Sequence, residues 1–468
     1  MLSCPDLDTI FPSASPFTGL EELLITKCSE LETLPDRIGD LLPCLRKLTI
    51  RECYYFAHLP ESFTALSHLE DLILSTCDDF TLPSNFGHLP ALTLLVLESL
   101  SFTAFPPSFC HLTSLEALFL VECHPLLELP AGFCHLTALK ALCISRSEGL
   151  ALPEDVGALA RLEALRLHNC QHQPLSRSFT DLSSLTSLDL NACFGGDLPA
   201  LGELSNLREL KIVDLPISTL PTSLTRLTGL HTLEVRGCQA LLEVPSRLDM
   251  LVGLKRLVLT ECEELSRPPA GLPPSLETLC FGPFVEGSSH VVDICGLWQL
   301  RVLKLNRVGV RCGAAGGLEG QLEKLEKLEM RLGSGNQKLP IPLTFLPRLR
   351  SLLIDAPGLC SLPENMGAAL PQLRQLELLS WSPEKLPGSI IELCSLTSLT
   401  VEAPQLTALP PGMSSLSRLR RLEQIGCNAL QQRPELPLSQ LECLHHLILG
   451  NSSCASLPAN SVLLTDKP

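Results

Sequence analysis

Cysteine is the residue of this chain best suited to chemistry, and it occurs 21 times in 468 residues. Such a number suggests a catalytic thiol, a metal site or a disulfide framework. Yet the sequence contains no C-x-x-C, no H-E-x-x-H and no G-x-S-x-G, the spacings that redox, zinc-peptidase and hydrolase chemistry use. The adjacent His445 and His446 have no set of ligands near them in the sequence. We therefore predict no metal site, no cofactor and no enzymatic activity.

The positions of the cysteines follow a repeat instead. The phrase L-x-x-L-x-L recurs nineteen times at spacings of 22 to 25 residues, and its first leucine is called the anchor below. Cys4 fits one slot of this repeat, and nine further cysteines lie eight residues after their anchors, namely Cys28, Cys53, Cys77, Cys123, Cys170, Cys193, Cys238, Cys262 and Cys427. In this slot the side chain turns inward where the strand ends and donates weakly to backbone carbonyls. This predicts reduced, buried, structural thiols in a reducing compartment. The off-slot Cys110 and Cys134 occupy matching positions of neighbouring repeats, which favours packing there too.

The repeat itself predicts the fold. Its anchors are Leu20, Leu45, Leu69, Leu92, Leu115, Leu139, Leu162, Leu185, Leu207, Leu230, Leu254, Leu276, Leu300, Leu325, Leu349, Leu373, Leu396, Leu419 and Leu444. A period of about 20 to 29 residues with this spelling is typical of leucine-rich repeats. We expect an α/β solenoid of horseshoe shape, a single unit over residues 1–468. About 19 repeats would form a parallel concave sheet with short convex helical or 3₁₀ segments.

The first repeat, LEELLITKCSELETLPDRIGDL, shows the expected division between inside and outside. Three apolar residues are predicted to point inward from a short strand: Leu20, Leu23 and Ile25. Leu24 lies between them and should face outward. Pro35 ends the following turn, because proline disfavours helix at the residue before it. The DRIGDL segment then suits a short helix with Ile38 and Leu41 facing inward.

The rhythm of the repeat is irregular between residues 268 and 342. The anchors Leu276, Leu300 and Leu325 survive there, while the L-P pair of the convex side is lost. We expect mobile loops near residues 283–293 and 309–321, which are degenerate repeats or, alternatively, a hinge or recognition loop. The chain also opens in mid-repeat at its N-terminus and spells no polar cap. This indicates a segment of a longer solenoid or a gene fragment, or else capping by a partner or by self-association.

Composition narrows the location and the partners. No stretch approaches the roughly 18 consecutive apolar residues of a membrane span, and the N-terminus lacks the basic and apolar regions of a secretory signal. A soluble cytoplasmic protein without membrane contact is expected. The formal net charge is −16 and aromatic residues make up 4% of the chain. We therefore expect no nucleic-acid partner, because proteins that bind nucleic acid need basic surfaces and aromatic stacking platforms.

The spelling L-x-x-L-x-L-x-x-C-x-x-L-x-x-L-P-x-x-[IFL]-x-x-L resembles the repeat region of plant intracellular nucleotide-binding disease-resistance receptors. The segments LEELLITKCSELETLPDRIGDL and LHTLEVRGCQALLEVPSRLDML carry it well. The resemblance implies ligand sensing and autoinhibition in immune signalling, with other domains of a longer receptor as possible partners. The chain departs from that family because it contains no G-x-x-x-x-G-K-[ST] phosphate loop. Short repeats of this class also occur in scaffolds that bind small GTPases.

Outward strand positions are where binding is expected, and in repeats three to six they are unusually apolar. The residues concerned are Ile73, Leu94, Val96, Ala117, Phe119, Val121 and Cys143. Contiguous exposed apolar patches tend to be contact sites. The alternative is that strand register or packing hides these side chains.

A second candidate surface is basic. Residues 1–200 hold 25 acidic and 10 basic residues, whereas residues 201–468 hold 26 and 25. Ten bases of the second part fall at predicted outward positions: Arg208, Lys211, Arg236, Lys255, Arg256, Arg301, Lys304, Arg307, Lys327 and Arg331. From these we select Arg236, Lys255, Arg256, Arg301 and Lys304 as candidate contacts for an acidic partner. Because Glu209, Glu234 and Glu329 are interspersed, a solvated face of mixed charge is the alternative.

Together these patterns predict a non-enzymatic protein-recognition module of plant-type innate immune signalling that binds a protein on its concave face. Phe119 and its apolar neighbours would anchor the partner, and the basic residues would orient it. The main alternative is an intracellular scaffold or adaptor of the small-GTPase-regulating kind. An enzyme or ligase that uses a surface cysteine is a minor alternative.

Overall fold

The computed structural model describes residues 16–77, 80–170, 175–193, 196–283, 291–311, 321–333, 336, 338–407, 409–425 and 443–450. The chain divides into two compact units, residues 1–245 and residues 246–468. Nineteen parallel strands carry the repeats, ten in the first unit and nine in the second. Each of the nineteen begins two residues after one of the anchors. The leucine-rich-repeat α/β solenoid is therefore confirmed, while a single unit over residues 1–468 stays a prediction.

The first unit contains strands β1 to β10. Their bounds are Glu22–Thr26, Lys47–Arg51, Asp71–Cys77, Leu94–Leu100, Ala117–Val121, Ala141–Ser145, Ala164–His168, Ser187–Asn191, Glu209–Val213 and Thr232–Arg236. Neighbouring strands pair in parallel with equivalent residues opposite each other, so that Leu72 faces Leu95 and Leu95 faces Leu118. This register stacks inward side chains on inward ones and outward on outward, because side chains alternate between the two faces of a strand.

The second unit contains strands β11 to β21. Nine of them form the parallel stack: Arg256–Thr260 (β11), Thr278–Phe281 (β12), Val302–Asn306 (β14), Lys327–Arg331 (β16), Ser351–Asp355 (β17), Gln375–Leu379 (β18), Ser398–Glu402 (β19), Arg421–Ile425 (β20) and His446–Gly450 (β21). The short strands β13 (Val291–Asp293) and β15 (Gly309–Arg311) pair with each other in a separate parallel sheet.

Leucine fills the core because every repeat contributes the same inward set. In the repeat that contains β5, Leu115, Leu118 and Leu120 are each 0% exposed. On the opposite side of the core, buried phenylalanines such as Phe86 and Phe109 stack across repeats at 6.3 Å between ring centroids. A single repeat cannot enclose these side chains, so stacking supplies the hydrophobic driving force.

The segments opposite the strands are mostly 3₁₀ turns. They span Glu61–Ala65, Phe86–His88, Pro107–His111, Phe133–His135, Val156–Ala158, Arg177–Asp181, Leu201–Glu203, Thr222–Arg226, Leu248–Met250, Leu343–Phe345, Gly388–Glu392 and Met413–Ser415. Two four-residue α-helices replace them in other repeats: α1 (Ile38–Leu41) and α2 (Met366–Ala369). The short helical or 3₁₀ segments predicted from the sequence are thus present.

An extra residue explains the two α-helices. The next anchor lies ten positions after Pro35, where an α-helix forms, but only nine positions after Pro60, where a 3₁₀ turn forms. The longer segment closes with a bond from the Leu42 N–H to the Ile38 carbonyl, four residues back, whereas a 3₁₀ turn reaches back only three. The prediction that Leu41 faces the core is therefore wrong: Leu42 is fully buried and Leu41 is partly exposed.

A residue in the left-handed conformation ends most of the regular strands and leads into the cysteine slot. Non-glycine residues such as Lys27 (φ 58°) and Ala192 (φ 45°) hold this position. The backbone N–H of Ala192 donates to the Val213 carbonyl of the next repeat at 2.9 Å, which carries the ladder beyond the strand. The next residue then turns inward. All eight slot cysteines within the described residues are buried, as the sequence predicts.

The irregular stretch keeps its strands but loses its turns. Strands β12, β14 and β16 begin after Leu276, Leu300 and Leu325 as predicted. The described part of residues 268–342 contains no 3₁₀ turn and no helix, and the next 3₁₀ turn begins at Leu343. The expectation of mobile loops is wrong for Val291–Asp293 and Gly309–Arg311, which pair as strands because their backbones satisfy each other's hydrogen bonds. The rest of those predicted loops, residues 284–290 and 312–320, lies outside the described residues.

Candidate functional site

The middle residue of each L-x-x-L-x-L strand points away from the core. In β3, Leu72 and Leu74 are buried on the core side, and Ile73 between them is partly exposed on the other. We call this outward side the strand face. It is the face that the sequence predicts to be concave and to bind a partner.

On the strand face of the first unit, the predicted apolar residues come together. Middle residues of β3 to β6 pair in series, Ile73 with Val96, Val96 with Phe119, and Phe119 with Cys143. Leu94 pairs with Ala117 in the adjacent row, and Val121 lies two residues beyond Phe119. Each of the seven is partly exposed rather than buried. We call this surface the apolar patch: Ile73, Leu94, Val96, Ala117, Phe119, Val121 and Cys143.

Two further residues continue this row toward the N-terminal end. Leu24 in β1 faces Thr49 in β2, and Thr49 faces Ile73. Leu24 is 66% exposed, more than any other large apolar side chain within the described residues except Tyr55. Sequence reasoning placed Leu24 outward but did not join it to the apolar patch. Thr49, which is polar and 6% exposed, separates Leu24 from that patch.

A polar rim borders the apolar patch where strands β4 to β6 end. The Ser99 hydroxyl donates to the Glu122 carboxylate at 2.8 Å, and the Arg146 guanidinium donates to the same carboxylate at 2.6 Å. Both hydrogen bonds lower the pKa of Glu122, Arg146 most strongly. These side chains line an open pocket of about 740 Å³ together with Asn169. These hydrogen bonds hold the side chains of the rim in place, and the Glu122 carboxylate stays ionised opposite Arg146 at neutral pH.

Charged residues border the apolar patch on its other side. In β7 and β8 the middle residues are Arg166 and Asp189, and the His168 ring lies 3.3 Å from the Asp189 carboxylate. Burial raises the pKa of Asp189, but His168, Lys211 and Arg166 together outweigh burial and hold this pKa below its usual range. The strand face therefore changes from apolar to ionic between β6 and β8.

The five candidate bases lie on strands or just before them, and acidic neighbours accompany four of them. Arg236 contacts Glu234 at 2.7 Å in the first unit. In the second unit three further pairs are Lys255 with Glu277 at 3.6 Å, Arg301 with Glu326 at 3.4 Å, and Lys304 with Glu329 at 2.9 Å. Arg256 is half-buried at the start of β11. The surface is one of mixed charge rather than a uniformly basic stripe.

The buried thiols are poorly suited to nucleophilic chemistry. Burial raises the pKa of Cys123 to about 12 and that of Cys170 to about 11, so the reactive thiolate is scarce near pH 7. The off-slot Cys110 and Cys134 are also buried, and each donates to a backbone carbonyl of the next repeat at 3.1 Å. Among the described residues, no three His, Cys, Asp or Glu side chains are grouped to hold a metal ion.

Comparisons with known proteins agree with this architecture. The family model described as "Leucine-rich repeat region" matches residues 188–339. The Arabidopsis thaliana protein SUPPRESSOR OF npr1-1, CONSTITUTIVE 1 is 27% identical over 221 residues, which cover 45% of this chain and 14% of that protein. The Arabidopsis thaliana disease resistance protein RPS6 is 29% identical over 116 residues, 25% of this chain and 10% of that protein. The matched segments are thus a small part of either relative.

A solved structure shows the same fold over most of the chain. The leucine-rich-repeat protein LIC12759 of Leptospira interrogans aligns with a TM-score of 0.62 and 22% identity, covering 94% of this chain and 98% of that chain. The chain therefore contains a leucine-rich-repeat region that resembles those of plant disease-resistance receptors. This fold is an interaction scaffold and is generally non-enzymatic. No helix in the described portion of the chain is long and apolar enough to cross a membrane.

Proposed function

We propose that this chain is a non-enzymatic protein-recognition module of plant-type innate immune signalling that binds a protein partner on the strand face of its first unit. The observation that carries the proposal is the apolar patch, which extends over four neighbouring strands and remains partly exposed. Monomeric proteins rarely leave a large contiguous apolar surface in water unless it serves as a contact.

Phe119 is the expected anchor. It lies in the middle row between Val96 and Cys143, so apolar side chains flank it on both sides. Aromatic residues at the centre of a desolvated patch often dominate binding energy, while a polar rim excludes water around them. The Glu122–Arg146 pair supplies such a rim.

The bases Arg236, Lys255, Arg256, Arg301 and Lys304 are proposed as secondary contacts within their own units. Four of them already have acidic neighbours, so they generate only a weak long-range field. We expect them to affect the orientation and salt dependence of binding more than its strength, as charges at an interface rim do.

The immune role and a cytoplasmic location are supported by the resemblance to plant disease-resistance proteins. Buried thiols in the repeat slot are also typical of proteins kept in a reducing compartment. A fluorescent fusion and cell fractionation would test the location, and enrichment with secreted proteins would contradict it.

Site-specific photo-crosslinking tests the recognition surface. A photoreactive residue at position 119 is compared with one at Leu127, which is 58% exposed and lies outside the apolar patch. Proteins of a plant extract that crosslink through position 119 but not through position 127 are then purified. The affinity of each purified protein is measured for the unmodified chain, for Phe119→Glu and for Leu127→Glu. We expect Phe119→Glu to weaken binding at least about a hundredfold and Leu127→Glu to leave it unchanged.

Equal binding by the two variants would overturn the assignment of the apolar patch. Circular dichroism of both variants controls for folding, which matters most for Phe119 because it is only partly exposed. The identity of the partner separates the two roles: an immune-signalling protein or another domain of a receptor supports the proposal. A small GTPase or its regulator would instead establish the scaffold alternative.

A further inference from the structure

Arginine is concentrated at the N-terminal edge of the last described strands. The residues immediately before and after each anchor lie on this edge. Around the anchors from Leu349 to Leu419, five of these flanking residues are arginines: Arg348, Arg350, Arg374, Arg418 and Arg420. All five are exposed. They belong to the second unit and are distinct from the bases considered above.

Backbone hydrogen bonds stack these positions on successive repeats. The Thr397 N–H donates to the Arg374 carbonyl, and the Arg420 N–H donates to the Thr397 carbonyl, each at 2.8 Å. Two parallel-strand steps therefore separate Arg374 from Arg420, roughly 10 Å. Long arginine side chains starting from these two points can converge on one ligand above Thr397.

A pocket lies at this place. It has a volume of about 570 Å³ and is lined by Arg374, Arg418, Arg420, Ser395 and Thr397, with Gln372 and Cys443 at its ends. This size lies within the range of about 300 to 1,000 Å³ found for small-molecule sites. All of its lining residues come from the second unit.

The charges in this pocket lack the acidic partners that several bases at equivalent positions of other repeats have. At equivalent edge positions Lys140 pairs with Glu116 at 2.8 Å and Lys255 pairs with Glu277 at 3.6 Å. Among the residues that the structure describes, no carboxylate forms an ion pair with Arg374, Arg418 or Arg420. Three positive charges thus surround one pocket with no acidic partner described.

The hydroxyl groups of the pocket are already engaged. The Thr397 hydroxyl donates to the Arg374 carbonyl at 2.9 Å, and the Ser395 hydroxyl donates to the Pro371 carbonyl at 2.9 Å. The charged donors available to a ligand are therefore the guanidinium groups, with the Gln372 amide as a neutral donor beside them. Their planar forks match an anion with several oxygens, and phosphate in particular accepts two parallel hydrogen bonds from arginine.

We propose that the pocket around Arg374, Arg418 and Arg420 binds the phosphate group of a small, soluble phosphorylated molecule. This site is independent of the apolar patch, which lies in the other unit. Its occupancy would add to the stability of the second unit, because a ligand that binds only the folded state stabilises that state.

Calorimetric titration with inorganic pyrophosphate tests the site, using the wild-type chain, Arg418→Gln and Arg420→Gln. Arg161→Gln is the matched control, since Arg161 holds the same edge position as Arg418 in the first unit and is also exposed. We expect each pocket variant to bind pyrophosphate at least about tenfold more weakly, because each removes a charge-assisted hydrogen bond. Arg161→Gln should bind like the wild type, and Arg420→Lys should be intermediate.

Three outcomes would overturn the proposal. Pyrophosphate fails to bind the wild type, the control variant loses as much affinity as the pocket variants, or the pocket variants bind normally. Vesicles of phosphatidylcholine with phosphatidylserine form a further arm. If they bind through the same arginines while pyrophosphate does not, the pocket is a membrane contact and the proposal is wrong. Thermal unfolding without ligand shows that every variant is folded.

Discussion

In strands β3 to β6 the middle outward positions hold Ile73, Val96, Phe119 and Cys143, whereas β14 and β16 hold Lys304 and Glu329 in that position. Both regions are built on the same repeat, with the same inward leucines and the same parallel register. The repeat therefore controls only the inward face. The outward face can change without loss of the core, and under the proposed function the difference between these regions determines which partner binds.

The sharpest test of that comparison sets an inward residue against its outward neighbour. Leu118 is 0% exposed, while the adjacent Phe119 is partly exposed. We expect Leu118→Ala to lower the free energy of unfolding by about 3 to 4 kcal/mol through lost burial and a cavity. Phe119→Ala should lower the free energy of unfolding by less than about 1 kcal/mol. Urea unfolding measures both, and similar losses would show that Phe119 belongs to the core.

A glycine on the side opposite the strands tests how tightly the regular repeats stack. A Cβ added to Gly157 would lie 2.0 Å from the backbone oxygen of Ser178 in the next repeat. Gly157→Ala should lower the free energy of unfolding by about 2 to 3 kcal/mol, because one repeat must move away from the other. Gly388 has no atom within 4 Å of an added Cβ, so Gly388→Ala is the control. Equal effects in urea unfolding would refute this close approach.

The charged region is tested through Glu329. Burial raises the pKa of Glu329, but hydrogen bonds from Lys327 and Lys304 outweigh burial and lower this pKa overall. A carboxyl with a lowered folded-state pKa stabilises the protein above its unfolded pKa of about 4.3 and loses that effect as the pH falls through the folded value.

We therefore expect Glu329→Gln to lower the free energy of unfolding by about 1 kcal/mol at pH 7, and by progressively less as the pH falls below 4. Unfolding curves over this pH range measure the difference. The exposed Glu264→Gln is the control and should follow the wild type. A constant cost at every pH would mean that packing, not charge, gives Glu329 its role.

The smallest expected effect concerns the left-handed residue that ends most strands, including β3 to β6 in one region and β14 in the other. Ala192 adopts φ 45° there, a conformation that costs a non-glycine residue about 1 to 2 kcal/mol. Ala192→Gly should raise the free energy of unfolding by about 0.5 kcal/mol, once the larger chain entropy of glycine is deducted. In strand β6 the same change, Ala141→Gly, should be destabilising. Thermal unfolding that moves both variants in one direction would contradict this reasoning.

Much of the fold could be predicted because it depends on local spelling. Each of the nineteen anchors precedes a strand by two residues, and the slot cysteines are buried where the repeat puts them. The inward position of Leu41 was predicted wrongly, since one extra residue changes a 3₁₀ turn into an α turn and shifts the buried residue to Leu42. Pairing of β13 with β15 was missed because it joins short segments without repeat spelling.

The candidate surfaces show the same limit. The apolar patch was predicted because its members hold equivalent positions of consecutive repeats, although the sequence does not say how far each is exposed. The arginine pocket was not found, since Arg374 and Arg420 are 46 residues apart and meet only by skipping a repeat. Comparing the residues that flank the anchors from one repeat to the next would have revealed this group of arginines.

The sequence by itself determined the period, the strands and the inward residues of those strands, because hydrophobic spacing decides which side chains must leave water. Only the tertiary structure decided which outward charges neutralise each other and which do not. Lys304 and Glu329 become partners, whereas Arg374, Arg418 and Arg420 gather around a pocket. Electrostatic partners depend on distances of a few ångströms between side chains of different repeats, and stacking creates those distances.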